Sequence, residues 1–224
     1  MRKFHKLAVS LASAGILVAG LAACSSTPEE TTPSSAPTVE ADPTPLASIP
    51  ALDGVSTQVT LDAGFVEAIT GLGLTPAPVG TADITDGVAS FPITGGNVDY
   101  YDPAEDYRPY VQGSIEHEGS GLSLTAGDTV VELTDFVIDP GTSQLFGTVS
   151  ANGAVVAEDV YIFNLDGSTL NPLETDADGN AVLEGTTVLV SPDAAALLND
   201  TFGTDAVTDE LVVGIAKITA KAAA

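Results

Sequence analysis

His117 is the single histidine beyond Cys24, and it sits between two acids in Glu116-His117-Glu118. A Ser-His-Asp relay in this chain has to rest on that one imidazole, and no Gly-x-Ser-x-Gly elbow is present to seat its serine. His117 reads either as an inward- or edge-facing residue at a strand end or as a base or ligand. Zinc favours several His or Cys ligands, which are missing. Calcium needs only oxygens. Asp176-Ala177-Asp178-Gly179-Asn180 has its glycine too early in the loop and lacks the closing carboxylate, so it reads as a hairpin turn. Asp99, Asp102, Glu105 and Asp106 are denser and form the weak calcium candidate.

The same stretch holds four of the chain's five tyrosines, Tyr100, Tyr101, Tyr107 and Tyr110, around Arg108. Tyrosine with arginine is the composition of binding hot spots and of cation–π stacks. It is also what a long hairpin loop uses to pin itself to a sheet with its own rings. With His117, these residues are the ligand-binding candidates, and no catalytic residue is assigned.

The elements that must position them read as antiparallel β from about Ala51 onward. In Val111-Gln112-Gly113-Ser114-Ile115-Glu116-His117, one parity is Val, Gly, Ile, His and the other Gln, Ser, Glu, the alternation of a strand with one wet face. Val160 to Leu165, Val182 to Val190 and Leu211 to Thr219 are further strands. Between Val130 and Ile138 the apolar parity switches, which predicts a bulge near Thr134-Asp135. Asp53-Gly54, Asp86-Gly87, Gly95-Gly96, Asn152-Gly153, Asp166-Gly167 and Asp178-Gly179 are read as tight turns. Two segments carry helix signals. Asp62 caps a run with Phe65, Ile69 and Leu72 on one face. Ser191-Pro192-Asp193 opens a second helix, with a cap, a proline at the first position and an acid in the first turn. Gly80 to Thr85 and Gly214 to Thr219 agree at four of six positions. Either a repeated helix-plus-strand unit or chance likeness of simple strands explains that. The expected fold is mainly β, an antiparallel β-sandwich with two short helices, one near its start and one before its last strand.

Charge excludes one class of partner. All 31 acidic residues follow Cys24, against Arg108, Lys217 and Lys221, which leaves the chain beyond Cys24 with a side-chain charge of −28. Nucleic-acid binding needs clusters of Lys and Arg to neutralise phosphates, and none exists. The acidity also repels anionic headgroups and favours solubility. With one cysteine no intrachain disulfide can form, so stability must come from a core.

The N-terminus addresses the chain. Arg2, Lys3 and Lys6 precede an uncharged apolar run from Leu7 to Gly20, too short to span a bilayer core, which needs about 20 residues. It ends in Leu21-Ala22-Ala23-Cys24, which resembles the bacterial lipobox. The resemblance implies cleavage after residue 23 and lipid on Cys24, anchoring an extracytoplasmic protein to the cell membrane, or to an outer membrane where the cell has one. More than one acyl chain is what stable anchoring requires. Residues 24–50 hold six prolines with Ser and Thr and read as a disordered tether, followed by one domain over 51–224.

The order of a helix with Phe65 and Ile69, a strand running into Gly113-Ser114-Ile115-Glu116-His117-Glu118-Gly119-Ser120-Gly121-Leu122-Ser123-Leu124, Val-rich strands, an Ala-rich helix and a closing strand resembles the haem-transport-associated (HtaA) domains of actinobacterial surface proteins. The resemblance covers about residues 56–220. It implies a β-rich haem binder using a tyrosine on the first helix and a histidine in a Gly-His-x-Gly stretch. Here the helix position is Ala68, and His117 precedes Gly119 instead of following a glycine. Haem iron needs a protein ligand.

Three functions remain on these grounds. The first is a lipid-anchored, non-enzymatic surface or ligand-binding module for a small molecule, glycan or protein. The second is a haem or porphyrin carrier using the Tyr100 to Tyr110 loop with His117. The third is an adhesive or wall-structural module.

Overall fold

The computed structural model describes residues 43–222. Thirteen strands join in one sheet. β1 (Ala47–Ile49) and β2 (Leu52–Leu61) lead to helix α1 (Ala63–Gly71), then β3 (Thr75–Gly80), β4 (Asp83–Thr85), β5 (Val88–Pro92) and β6 (Gly95–Tyr100). The tyrosine-rich loop follows, and then the long meander β7 (Val111–Ala126), β8 (Thr129–Asp139), β9 (Gln144–Ala151) and β10 (Ala154–Asp166). A 3-10 turn at Gly167–Thr169 precedes β11 (Glu174–Thr175) and β12 (Ala181–Val190); helix α2 (Pro192–Phe202) and β13 (Val212–Ala222) close the chain.

The strand order is β1-β6-β7-β8-β9-β10-β12-β13-β2-β5-β4, with every pair antiparallel. β2 and β7 are far apart along that order, yet Thr57 of β2 meets His117 of β7. Phe91 of β5 likewise lies edge-on to Phe136 of β8, with ring centroids 5.3 Å apart. The sheet therefore curls until its inner face meets itself, and a single rolled sheet does the work of the two layers of a sandwich. The mainly β, two-helix expectation holds in this rolled form. Bulges aid the roll, because each adds local twist. One falls where the parity switch predicts it: the β8–β9 register shifts between Thr134 and Val137, and Asp135 has φ +54°. The β7–β8 register shifts opposite, between His117 and Gly121, where the Asp135 carboxylate accepts from the Gly119 N–H at 2.8 Å.

Both helices begin where their caps place them. The Asp62 carboxylate accepts from Gly64 N–H, and Ile69 is buried. Ser191 Oγ accepts from Ala194 N–H at 3.0 Å, Pro192 opens α2, and Gly203 ends it in the left-handed conformation. Each helix lays apolar residues on the core: Phe65, Ile69 and Leu72 from one, Leu198 with Ala194 and Ala195 from the other.

Two expectations need correction. Asp53-Gly54 and Gly95-Gly96 lie inside strands rather than in turns. Gly54 takes φ +67° beside a register shift, and Gly96 takes φ +110° where an added Cβ would strike the Ser114 carbonyl, so both glycines serve strand irregularity and close approach. The tether does not reach residue 50. Ala47 and Ile49 pack on the core while β1 pairs with β6, so an apolar alternation just before Pro50 gains a strand edge. Gly80 to Thr85 crosses the end of β3, a turn and β4, whereas Gly214 to Thr219 is one continuous stretch of β13. The likeness of those two segments is one of sequence alone. The predicted signal, Cys24 and most of the tether lie outside the described residues.

Candidate functional site

His117 is drawn inward by strand parity. Val111, Ile115 and His117 share the buried face of β7, and His117 is 1% exposed. Its Nδ1 lies 3.2 Å from the Phe136 carbonyl, which can only accept, so Nδ1 carries the proton. Its Nε2 then accepts from the Thr57 hydroxyl at 2.8 Å. Phe91 stands edge-on to the imidazole. Burial outweighs the carbonyl bond and pushes the pKa down from 6.5 to about 4. Both nitrogens of a neutral imidazole are thus occupied within the core, and His117 has neither a free lone pair nor solvent access.

The tyrosine-rich loop divides into two pairs. Tyr100 is buried at the end of β6, its ring edge-on to Tyr110 at 5.9 Å. Tyr101 and Tyr107 lean together at 4.5 Å, and the Tyr101 N–H donates to the Tyr110 carbonyl at 2.7 Å. Arg108 winds the loop around itself: Nη1 donates to the carbonyls of Glu105 at 2.6 Å and Tyr107 at 2.9 Å, and Nη2 to that of Pro103 at 2.7 Å. Its guanidinium carbon lies 5.5 Å from the centroid of the Tyr110 ring. Burial and the neighbouring Tyr100 raise the pKa of Tyr110, and Arg108 offsets part of the rise.

This loop stands at the rim of a cavity of about 340 Å³. One wall is Val111 and Ile115 of β7 with Ile138 of β8. Facing it are Leu183 and Thr186 of β12 with Ala216 and Ile218 of β13. Leu165 comes from β10, Gly167 and Ser168 from the 3-10 turn, and Leu170 from just after it; Arg108, Pro109 and Tyr110 complete the lining with Pro140 and Ser143. The 3-10 turn can sit here because residue 185 is glycine. Gly185 has φ +115°, and a Cβ there would drive into the Thr169 carbonyl. Thr169 Oγ1 also donates to the Gly185 carbonyl at 2.5 Å.

The candidates of the sequence therefore part company. Arg108 and Tyr110 line the cavity, Tyr100 braces Tyr110 from behind, and Tyr101 with Tyr107 builds the outer loop. His117 belongs to a separate void of about 30 Å³, which shares Ile138, Leu165 and Ala216 with the larger cavity. Among the described residues no three His, Cys, Asp or Glu side chains are grouped to hold a metal ion. Of the acidic candidates, Asp99 faces Gln112 across β6–β7, and Asp102 accepts from the Ala104 N–H, serving a strand and a turn. The chain pattern alone did not mark Ile115, Ile138, Leu183 and Ile218 as a site, because inward parity looks the same beside a void as beside a neighbour. Thr57, the partner of His117, carried no signal at all.

No family model matches the chain, and no curated protein does. Among solved structures, the C-terminal domain of HtaA from Corynebacterium glutamicum is similar, with a TM-score of 0.53 and 17% identity over 76% of this chain and 97% of that one. The heme binding protein HtaB from Corynebacterium glutamicum has a TM-score of 0.47 and 5% identity, over 78% of this chain and 96% of that one. The likeness to the HtaA domain is one of fold.

Proposed function

We propose that this HtaA-like β domain is a non-enzymatic ligand-binding module, held outside the cytoplasm by lipid on Cys24, that takes a small and largely apolar molecule into the cavity between β7–β8 and β12–β13. The cavity carries this reading. At about 340 Å³ it falls within the range of roughly 300–1,000 Å³ typical of ligand sites, with apolar walls and a few polar groups at one end. The lipobox-like Leu21-Ala22-Ala23-Cys24 and the proline-rich stretch after it support the anchoring. Among the described residues no helix is long and apolar enough to cross a membrane. Titration of the full chain with N-phenyl-1-naphthylamine, a neutral dye that brightens in apolar surroundings, tests the cavity. Saturable binding is expected, abolished by Thr186→Trp with the melting temperature preserved. Absent binding, or binding indifferent to that substitution, overturns the reading.

Haem is the second reading, favoured by the match to almost the whole HtaA domain. The side chains at the two ligand positions that the resemblance implies do not fit it. Ala68 of α1 offers no donor atom and lines a void of about 50 Å³. His117 is buried with both nitrogens engaged. An axial oxygen for haem iron would have to come from Tyr110, the tyrosine that lines the cavity, and its raised pKa works against the phenolate. A Soret band lost in Tyr110→Phe supports this reading, and no Soret shift at micromolar haem removes it.

A further inference from the structure

Arg108 is the one cation between Lys6 and Lys217 in a chain with 31 acidic residues, yet among the described residues it forms no ion pair. Its guanidinium has five N–H donors. Nη1 donates to the carbonyls of Glu105 and Tyr107, and Nη2 to that of Pro103. The Nε–H and the second Nη2–H have no partner among the described residues. The Nε and Nη2 edge of a guanidinium has the spacing that a carboxylate fills with two parallel hydrogen bonds. The three carbonyls and the Tyr110 ring already hold the plane, so little side-chain entropy is left to lose on binding. Arg108 and Tyr110 both line the apolar cavity.

We propose that the ligand of this cavity is a small apolar acid, whose carboxylate is received by the Nε–Nη2 edge of Arg108 while its hydrocarbon body lies between Ile115, Ile138, Leu183 and Ile218. This rests on the cavity being a ligand site. The surrounding negative charge favours a single carboxylate over a polyanion, since each further charge adds repulsion from the body.

The test compares decanoate with 1-decanol as competitors for the dye on the full chain, near neutral pH and at low salt. Decanoate is expected to bind tighter by on the order of ten-fold or more, the worth of a charge-assisted pair. In Arg108→Gln the preference for decanoate over decanol disappears. Equal binding of the two in the native chain, or a preference that survives Arg108→Gln, overturns the assignment and leaves the cavity reading standing. If neither competitor displaces the dye, both fall. Arg108→Gln also removes bonds that hold the loop, so the native chain supplies a second readout. The sequence has two arginines, Arg2 and Arg108, and Arg108 is the one beyond Cys24, so at most two Nε–H resonances are present. The Arg108 signal is expected to move on adding decanoate and stay still with decanol; no movement at saturating decanoate overturns the proposal.

Discussion

The imidazole of His117 and the hydroxyl of Thr57 meet at 2.8 Å across the inside of a rolled sheet, sixty residues apart in the chain. The contact ties β7 to β2, which are not neighbours in the strand order. It also explains how a histidine survives in the core: the Phe136 carbonyl accepts from Nδ1–H and the Thr57 hydroxyl donates to Nε2. Thr57→Val keeps the shape and leaves Nε2 unpaired, so it should cost about 1–3 kcal/mol. Urea unfolding reads this directly, and a neutral substitution would mean that the hydroxyl does not serve the ring.

Acid should destabilise the domain through the same residue. Above pH 6.5 His117 is neutral folded and unfolded. Between 6.5 and about 4 the unfolded chain takes a proton that the folded one refuses, so stability falls as pH drops through that window and levels off below it. The integrated loss is roughly 3 kcal/mol. The stability difference between the native chain and His117→Gln isolates it from the titrating carboxylates. That difference should shrink by this amount from pH 6.5 to 4, and a constant difference contradicts the buried neutral imidazole.

Ser191 serves two backbones at once. Its hydroxyl accepts from Ala194 N–H at 3.0 Å and donates to the Tyr161 carbonyl at 2.5 Å, fully buried. Ser191→Ala removes a helix cap and strands a carbonyl, with an expected loss of about 2 kcal/mol. A loss below about half a kcal/mol would show that water replaces both bonds.

Gly185→Ala places a methyl group against the Thr169 carbonyl in a conformation that side chains avoid. The 3-10 turn must then lift from β12, carrying Gly167, Ser168 and Leu170 off the cavity. Dye affinity should drop several-fold, with at least about 1 kcal/mol of stability lost. Unchanged affinity in a destabilised variant would separate the turn from the site.

Cys24→Ser should move the chain from the membrane to the soluble fraction and abolish incorporation of labelled palmitate. Retention of label in that variant would exclude lipid on Cys24.

Much of this molecule is legible along the chain, because capping, alternation and the parity switch are short-range effects of backbone geometry. Asp62 and Ser191 start their helices, Val111 to His117 alternates as a strand, and Thr134-Asp135 bulges, all from interactions within a few residues. Positive-φ glycines were equally visible, but the chain did not show whether they turn or pass close to another strand, since both demand the same missing Cβ. That is why Gly96 reads as a turn in sequence and is a strand residue in the fold.

Composition and short-range pattern define an acidic, cysteine-poor, mainly β domain behind a lipobox-like segment, with chemistry limited to oxygens, one histidine and a tyrosine-rich loop around Arg108. Tertiary structure alone decided what became of those groups. Rolling the sheet brought β2 over β7 and closed His117 into the core, while the 3-10 turn, seated on Gly185 of β12, lines the cavity that Arg108 and Tyr110 border. Parity tells which side chains face inward, and only the pairing of distant strands tells whether they meet a partner or a void.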